Sequence, residues 1–297
     1  MNYLDKLRKE LTDIESLFYE LLDTVKIEYC DPNDDPHSGV VIITLTCYFW
    51  RDGENPIDTR AKQRLVKDRF SDLKRNILFL CDNDTENIQK ELQDVFKRLE
   101  SYIEQKSNPM TPQNIDEAKK NVRKWLLEVH NALNHIQKAT NDNTAILIPD
   151  TNALVISPDP ASYKELLNTP SFIFVITTPV LRELDNQKDD GRKVETYRAK
   201  VRKAIKRIKG FRNQGDITTG IIVDRTITVK MDYKEPAMTK AIDWLDPSNV
   251  DDQIIIRALE LQKQNPCSSV TVVTSDINLQ NKALGAKLNF LEPPGQD

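Results

Sequence analysis

Two regimes of hydrophobic patterning divide the chain. Over roughly residues 1–140, apolar positions recur at helical steps; beyond that, short continuous apolar runs alternate with amphipathic stretches. Leu4, Leu7, Leu11, Ile14, Phe18, Leu21 and Val25 follow steps of three and four, a heptad stripe that predicts an amphipathic helix needing a partner surface. That partner is either its own domain or a second copy of the chain. Asp31–His37 reads as a loop, and GVVIITLTCYFW (Gly39–Trp50) as a β-branched and aromatic strand. Arg51–Pro56 reads as a turn. A helix is expected over Asp58–Leu80, buried through Val66, Phe70, Leu73 and Ile77. Asp82–Thr85 breaks it, and Thr85 is positioned to cap a helix running to about Gln105 through Ile88, Leu92, Val95, Leu99 and Ile103. Thr111-Pro112 opens the next, to about Gln137, with Val122, Leu126, Val129 and Leu133 inward.

From Ala145 the period changes. AILI (Ala145–Ile148) is a buried strand that ends at Pro149, with Asp150 at its tip. Ser171–Ile176 is a second buried strand, and Thr178-Pro179 opens a helix carrying Val180, Leu181, Glu183 and Leu184. Gly191–Asn213 predicts a helix dense in Arg and Lys. Ile221–Met231 reads as a short β pair around Asp224-Arg225. Asn249–Leu261 is a helix, Val270–Val273 a strand, Asn278–Leu284 a helix stopped by Gly285, and Leu288–Leu291 a last strand. Strands alternating with helices imply parallel βαβ units, hence an α/β fold. Two domains follow: residues 1–140, mostly helical with a short β element, and residues 141–297, α/β.

Composition narrows the class. With 30% charged and 39% hydrophobic residues, and no apolar run near the roughly 20 residues a membrane span requires, a soluble protein without a membrane partner is expected. The opening MNYLDKLRKEL has no apolar core before a cleavage site, so it does not read as a signal peptide. Cys30, Cys47, Cys81 and Cys267 are scattered, which points to a reducing, cytoplasmic setting rather than a disulfide or zinc framework. His130 and His135 lie five apart and lack the i, i+4 spacing of helical metal ligands.

Chemistry concentrates in the acids of the second half. Asp150 follows the first strand, Glu183 lies on the helix after the second, Asp251 and Asp252 open a helix, and Asp276 follows Val270–Val273. Acids gathered at one sheet edge repel one another unless divalent cations neutralise them. Mg²⁺ or Mn²⁺ suits such a set, being a hard ion that prefers oxygen ligands. Each acid also has an ordinary reading as a turn, cap or solvated position. Asp251 shares a helical face with Ile254 and Ala258, so it is expected to look inward, with Asp252 as a capping or supporting acid. Asn152, Thr274 and Asn278 stand beside the acids as supporting polar groups; Asn278 reads equally as a helix cap.

The stretches ILIPDTNALV (Ile146–Val155), TPVLREL (Thr178–Leu184), NVDDQIIIRALEL (Asn249–Leu261) and VTVVTSDINLQNKALGAKL (Val270–Leu288) together resemble a PIN-domain nuclease. The resemblance covers roughly Thr144–Pro293 and none of the first half. It implies a parallel sheet sandwiched by helices and a catalytic, metal-binding set of Asp150, Glu183, Asp251 and Asp276, with the adjacent Asp252 as a competing ligand. In such a site bound metal activates water and stabilises charge on the phosphate and the leaving 3′ oxygen.

The basic stretch supplies the matching surface. Arg192, Lys193, Arg198, Arg202, Lys203, Lys206 and Lys209 stand among ten Arg and Lys against the single acid Glu195, in a chain whose net charge is −4. A solvated face normally mixes signs, so phosphate binding is expected here. The sequence therefore predicts a metal-dependent endonuclease acting on RNA. DNA is the alternative substrate, and a non-catalytic RNA-binding or assembly scaffold the alternative class. For the first half it predicts self-association through the N-terminal helix or a docked protein partner.

Overall fold

The computed structural model describes residues 2–30, 48–81, 86–109, 111–139, 143–167, 169–237 and 244–295. Its backbone divides into two compact units, one of residues 5–139 and one of residues 140–297 with the first four residues.

The first unit is built from α1 (Tyr3–Leu22), β1 (Val25–Tyr29), β2 (Tyr48–Asp52), α2 (Pro56–Cys81), α3 (Glu86–Ile103) and α4 (Ile115–Ala139). The heptad stripe of α1 is spent inside the chain: Leu7, Leu11, Ile14, Phe18 and Leu21 are all buried. Phe18 meets Phe70 of α2 edge to face, and Phe70 meets Phe96 of α3 in the same way. A second aromatic line, Trp50–Tyr102–Trp125, ties β2, α3 and α4 together. Offset aromatic pairs of this kind add to what area burial alone supplies. The core of the first unit is thus one partner surface of the heptad stripe. β1 and β2 pair antiparallel from Val25↔Asp52 to Tyr29↔Tyr48. The expected strand Gly39–Trp50 lies outside the described residues up to position 47, as do the loop 31–37 and the capping Thr85. α4 starts at Ile115 rather than Thr111, because Asn114 accepts from the Glu117 backbone N–H while Thr111 is turned back to accept from that of Asn108.

The second unit follows the expected alternation. It contains β3 (Ala145–Pro149), α5 (Thr151–Ile156), a 3₁₀ turn (Pro160–Tyr163), α6 (Lys164–Leu167), β4 (Phe172–Thr177), α7 (Thr178–Gln187) and α8 (Glu195–Arg212). Then come β5 (Ile221–Val223), β6 (Ile227–Asp232), α9 (Val250–Gln264), β7 (Val270–Val273), α10 (Ile277–Gly285) and β8 (Asn289–Leu291). The strands form one sheet in the order β5-β6-β4-β3-β7-β8, parallel except for the edge pair β5/β6. That pair turns through the three residues Asp224, Arg225 and Thr226, with Asp224 and Arg225 at positive φ (49° and 65°). β3, β4 and β7 read as mainly apolar runs because helices cover both faces of a parallel sheet, whereas β6 (ITVKMD) alternates. The chain passes from β3 to neighbours on opposite sides, β4 and later β7, so β3 is the switch point where open α/β sheets place ligand sites. No helix among the described residues is long and apolar enough to cross a membrane.

Candidate active site at the sheet edge

Asp150 leaves the C-terminal tip of β3. The register Pro149↔Val273 places it beside Thr274, the first residue after β7. The Thr274 hydroxyl donates to Asp150 Oδ2 at 2.5 Å, and the Ala153 backbone N–H donates to Oδ1 at 2.6 Å, which makes Asp150 the N-cap of α5. Asp150 is only 4% exposed, and Thr274 is fully buried. Burial raises the Asp150 carboxyl from its ordinary 3.8 to about 6; the two hydrogen bonds pull it down, and the charges of Glu183 and Asp251 push it up again.

Glu183 comes from the middle of α7, the helix that follows β4. Both of its oxygens are engaged. The Thr151 hydroxyl donates to Oε2 at 2.5 Å and the Gln187 amide to Oε1 at 2.8 Å. Asp251 lies in the first turn of α9, half-buried. Its carboxyl is raised by burial and then by the charge of Asp276, with Glu183 and Asp252 adding to this and Lys282 opposing. Asp276 sits past the end of β7 and caps α10, accepting from the backbone N–H of Asn278 at 2.7 Å and of Leu279 at 3.2 Å. Its own N–H donates to the Thr274 hydroxyl oxygen at 3.0 Å. Thr274 thus ties two of the acids to one strand end.

The structure therefore brings Asp150, Glu183, Asp251 and Asp276 to one edge, close enough to feel one another's charge. Asp252 goes elsewhere. It is the more buried of the adjacent pair, accepts from the Asp246 backbone N–H at 2.8 Å, and forms an ion pair with Lys282 of α10. The inward-facing argument for Asp251 fails in its reason: Asp252 is the residue that points inward, and Asp251 is the one that meets the other acids. Nor does Asp252 cap α9; Asn249 does, accepting from the N–H groups of Asp251 and Asp252. Asn278 is likewise not a cap, since Asp276 holds that role, and its residue is exposed in the first turn of α10. Asn152 is exposed, and the Tyr197 hydroxyl reaches its Oδ1 at 3.4 Å.

The basic stretch forms a helix only from Glu195. Gly191–Val194 precede it, and Arg192 folds back onto Asp190 with two contacts at 2.9 and 3.1 Å. Glu195 takes both Arg198, at 2.7 Å, and Arg202; Arg207 pairs with Asp159 at 3.2 Å. Lys193 lies over the Tyr197 ring. Val201, Ala204, Ile208 and Phe211 bury the inner face of α8. Lys203, Lys206 and Lys209 are exposed on the outer face, without an acidic partner among the described residues.

Sequence reasoning did not find Thr151, Gln187, Tyr197 and Lys282, the groups that hold the acids. Thr151 directly follows Asp150, which is a usable signal; the others meet the site only through the fold.

A set of acids at the switch point of a helix-covered parallel sheet defines a nuclease-like class of α/β domain. Residues 147–291 match the family model of the PIN domain, so the C-terminal half of the chain belongs to the PIN-domain family. PIN domains are generally nucleases and typically use divalent metal ions. The chain matches no curated protein sequence.

The donor set suits such an ion in kind: every group is a hard oxygen, and a carboxylate oxygen that accepts one hydrogen bond retains a second lone pair. The fit does not extend to ready-made coordination. Among the described residues no three His, Cys, Asp or Glu side chains stand together as a metal-holding group. Thr274, Ala153, Thr151, Gln187 and the α10 N-terminus hold the carboxylates instead.

Proposed function

We propose that the C-terminal unit is a metal-dependent endonuclease that hydrolyses RNA phosphodiester bonds. The observation that carries this reading is Asp150. A buried carboxylate at the switch point, crowded by Glu183 and Asp251, is costly for folding and serves best as a site for a cation. Asp150, Glu183, Asp251 and Asp276 would hold Mg²⁺ or Mn²⁺, and Asp252 would contribute by fixing Lys282 rather than by ligating. When bound, the ion supplies Lewis-acid stabilisation of the phosphate and a water of lowered pKa.

The chain's own groups do the rest. Thr274 and the Ala153 N–H hold Asp150 in one orientation, and Thr151 and Gln187 hold Glu183. Glu183, held at the acid edge by these two hydrogen bonds, orients a proton-bearing group. Lys203, Lys206 and Lys209 supply sequence-independent phosphate contacts along α8. RNA is favoured by the run Asp276-Ile277-Asn278-Leu279, which resembles the form seen in PIN domains that accompany RNA-processing machinery. Incubating labelled RNA and DNA with Mg²⁺, Mn²⁺ or EDTA and reading the product ends tests the proposal. It expects 5′-phosphate and 3′-hydroxyl ends on RNA and no products in EDTA. Cleavage of DNA alone would redirect the substrate. Absence of cleavage together with absence of Mn²⁺ binding by calorimetry would leave the scaffold reading.

A further inference from the structure

A chain of hydrogen bonds runs from the basic helix to the acid edge. The Tyr197 hydroxyl, in the first turn of α8, donates to Gln187 Oε1 at 2.6 Å. Gln187, the last residue of α7, donates through Nε2 to Glu183 Oε1 at 2.8 Å. The Thr151 hydroxyl closes the other side at Glu183 Oε2, 2.5 Å away. A glutamine amide has one accepting and one donating end, and it can flip. The Glu183 carboxylate removes that freedom, because only Nε2 can donate to it, and the Tyr197 phenol holds the opposite end of the amide. With the amide reversed, a carbonyl oxygen would face the carboxylate and repel it. The whole chain lies on one side of Glu183, and Thr151 on the other, so the carboxylate is clamped between α5 and α8.

We infer that Tyr197 is a positioning residue for Glu183, acting through the fixed amide of Gln187. The inference rests on the metal–carboxylate reading of the acid edge. Partners that orient a ligating carboxylate commonly carry about ten- to hundredfold in metal affinity or activity. Tyr197 also belongs to the helix that carries Lys203, Lys206 and Lys209, so the same element that offers the phosphate-binding face sets the acid. Tyr197 is half-buried and its ring packs under Lys193. Tyr197→Phe keeps that packing and deletes only the donor.

The test is Mn²⁺ binding by calorimetry on the full chain, for wild type, Tyr197→Phe, Glu183→Gln, the double variant and Asp150→Asn. Tyr197→Phe is expected to weaken Mn²⁺ binding about tenfold. Its metal-free melting temperature and its RNA affinity in EDTA should stay at wild-type values. In the Glu183→Gln background the same change should add nothing, because the chain ends at Glu183. Gln187→Met, which keeps the length but cannot donate, should reproduce Tyr197→Phe and stands in for it if the phenylalanine variant folds poorly. An equal loss in the Glu183→Gln background, or wild-type affinity in both Tyr197→Phe and Gln187→Met, overturns the inference. If Asp150→Asn binds Mn²⁺ as the wild type does, the metal–carboxylate reading itself fails and this inference goes with it. If Asp150→Asn is weakened while Tyr197→Phe is not, only the positioning role is lost.

Discussion

At the scale of single residues, the site is organised by what each carboxylate costs. Asp150 is an acid whose carboxyl is raised to about 6 in the fold. The sign of the linkage follows. Below the ordinary carboxylate pKa both states carry the proton and Asp150 costs nothing. As pH rises toward 6 the unfolded chain gives up its proton first, and the penalty grows; above 6 it is fully present, on the order of 3 kcal/mol. Asp150→Asn is therefore expected to raise the metal-free melting temperature at pH 7.5, with the gain vanishing near pH 4. Thermal melts across that range check it; a gain independent of pH would mean that charge is not the cause. Asp251 and Asp252 separate by partner. Asp251→Asn should remove Mn²⁺-dependent stabilisation with little loss of fold. Asp252→Asn should weaken the ion pair with Lys282 and lower the melting temperature. Metal-free and metal-loaded melts of both variants distinguish the roles, and the reverse pattern would exchange them.

At the scale of elements, α8 and α1 show why patterning succeeds in one place and misleads in another. The density of Arg and Lys along α8 is legible in the sequence, but which of them are free is not. Arg198 and Arg202 close onto Glu195, and Arg207 onto Asp159, a residue 48 positions away. Among the charges left for a partner are the three lysines Lys203, Lys206 and Lys209. Reversing these three to Glu should lower the salt dependence of RNA binding by roughly two to three in log–log slope. An unchanged slope would make α8 a solvated face only. The α1 stripe is equally visible, yet periodicity cannot say what covers it. Phe70 and the core of the first unit do. Phe18→Ala should cost about 3–5 kcal/mol, read by denaturant unfolding. A negligible change would mean that the stripe is not packed as described.

At the scale of the whole molecule, the sheet of the second unit was the most legible part. β3, β4 and β7 are apolar apart from Thr177 and Thr271 because both faces are covered, and each is followed by polar residues at its C-terminal end. The hairpin at Asp224-Arg225 was visible in the flanking β-branched residues. What sequence could not supply was the cross-strand register, and with it the meeting of Asp150 with Thr274, or the path from Tyr197 through Gln187 to Glu183. Such contacts join elements far apart in the chain. Among the first unit's described residues lies a core of its own, held by two aromatic lines, and a role as a docking module for a protein partner remains a proposal. The central claim, that the acids at the sheet edge perform hydrolysis, is tested most directly by cleavage of one end-labelled RNA in Mn²⁺ by the wild type and by Asp150→Asn at equal folded concentration. The account predicts defined products from the wild type and none from Asp150→Asn. Equal cleavage by the two proteins would contradict it.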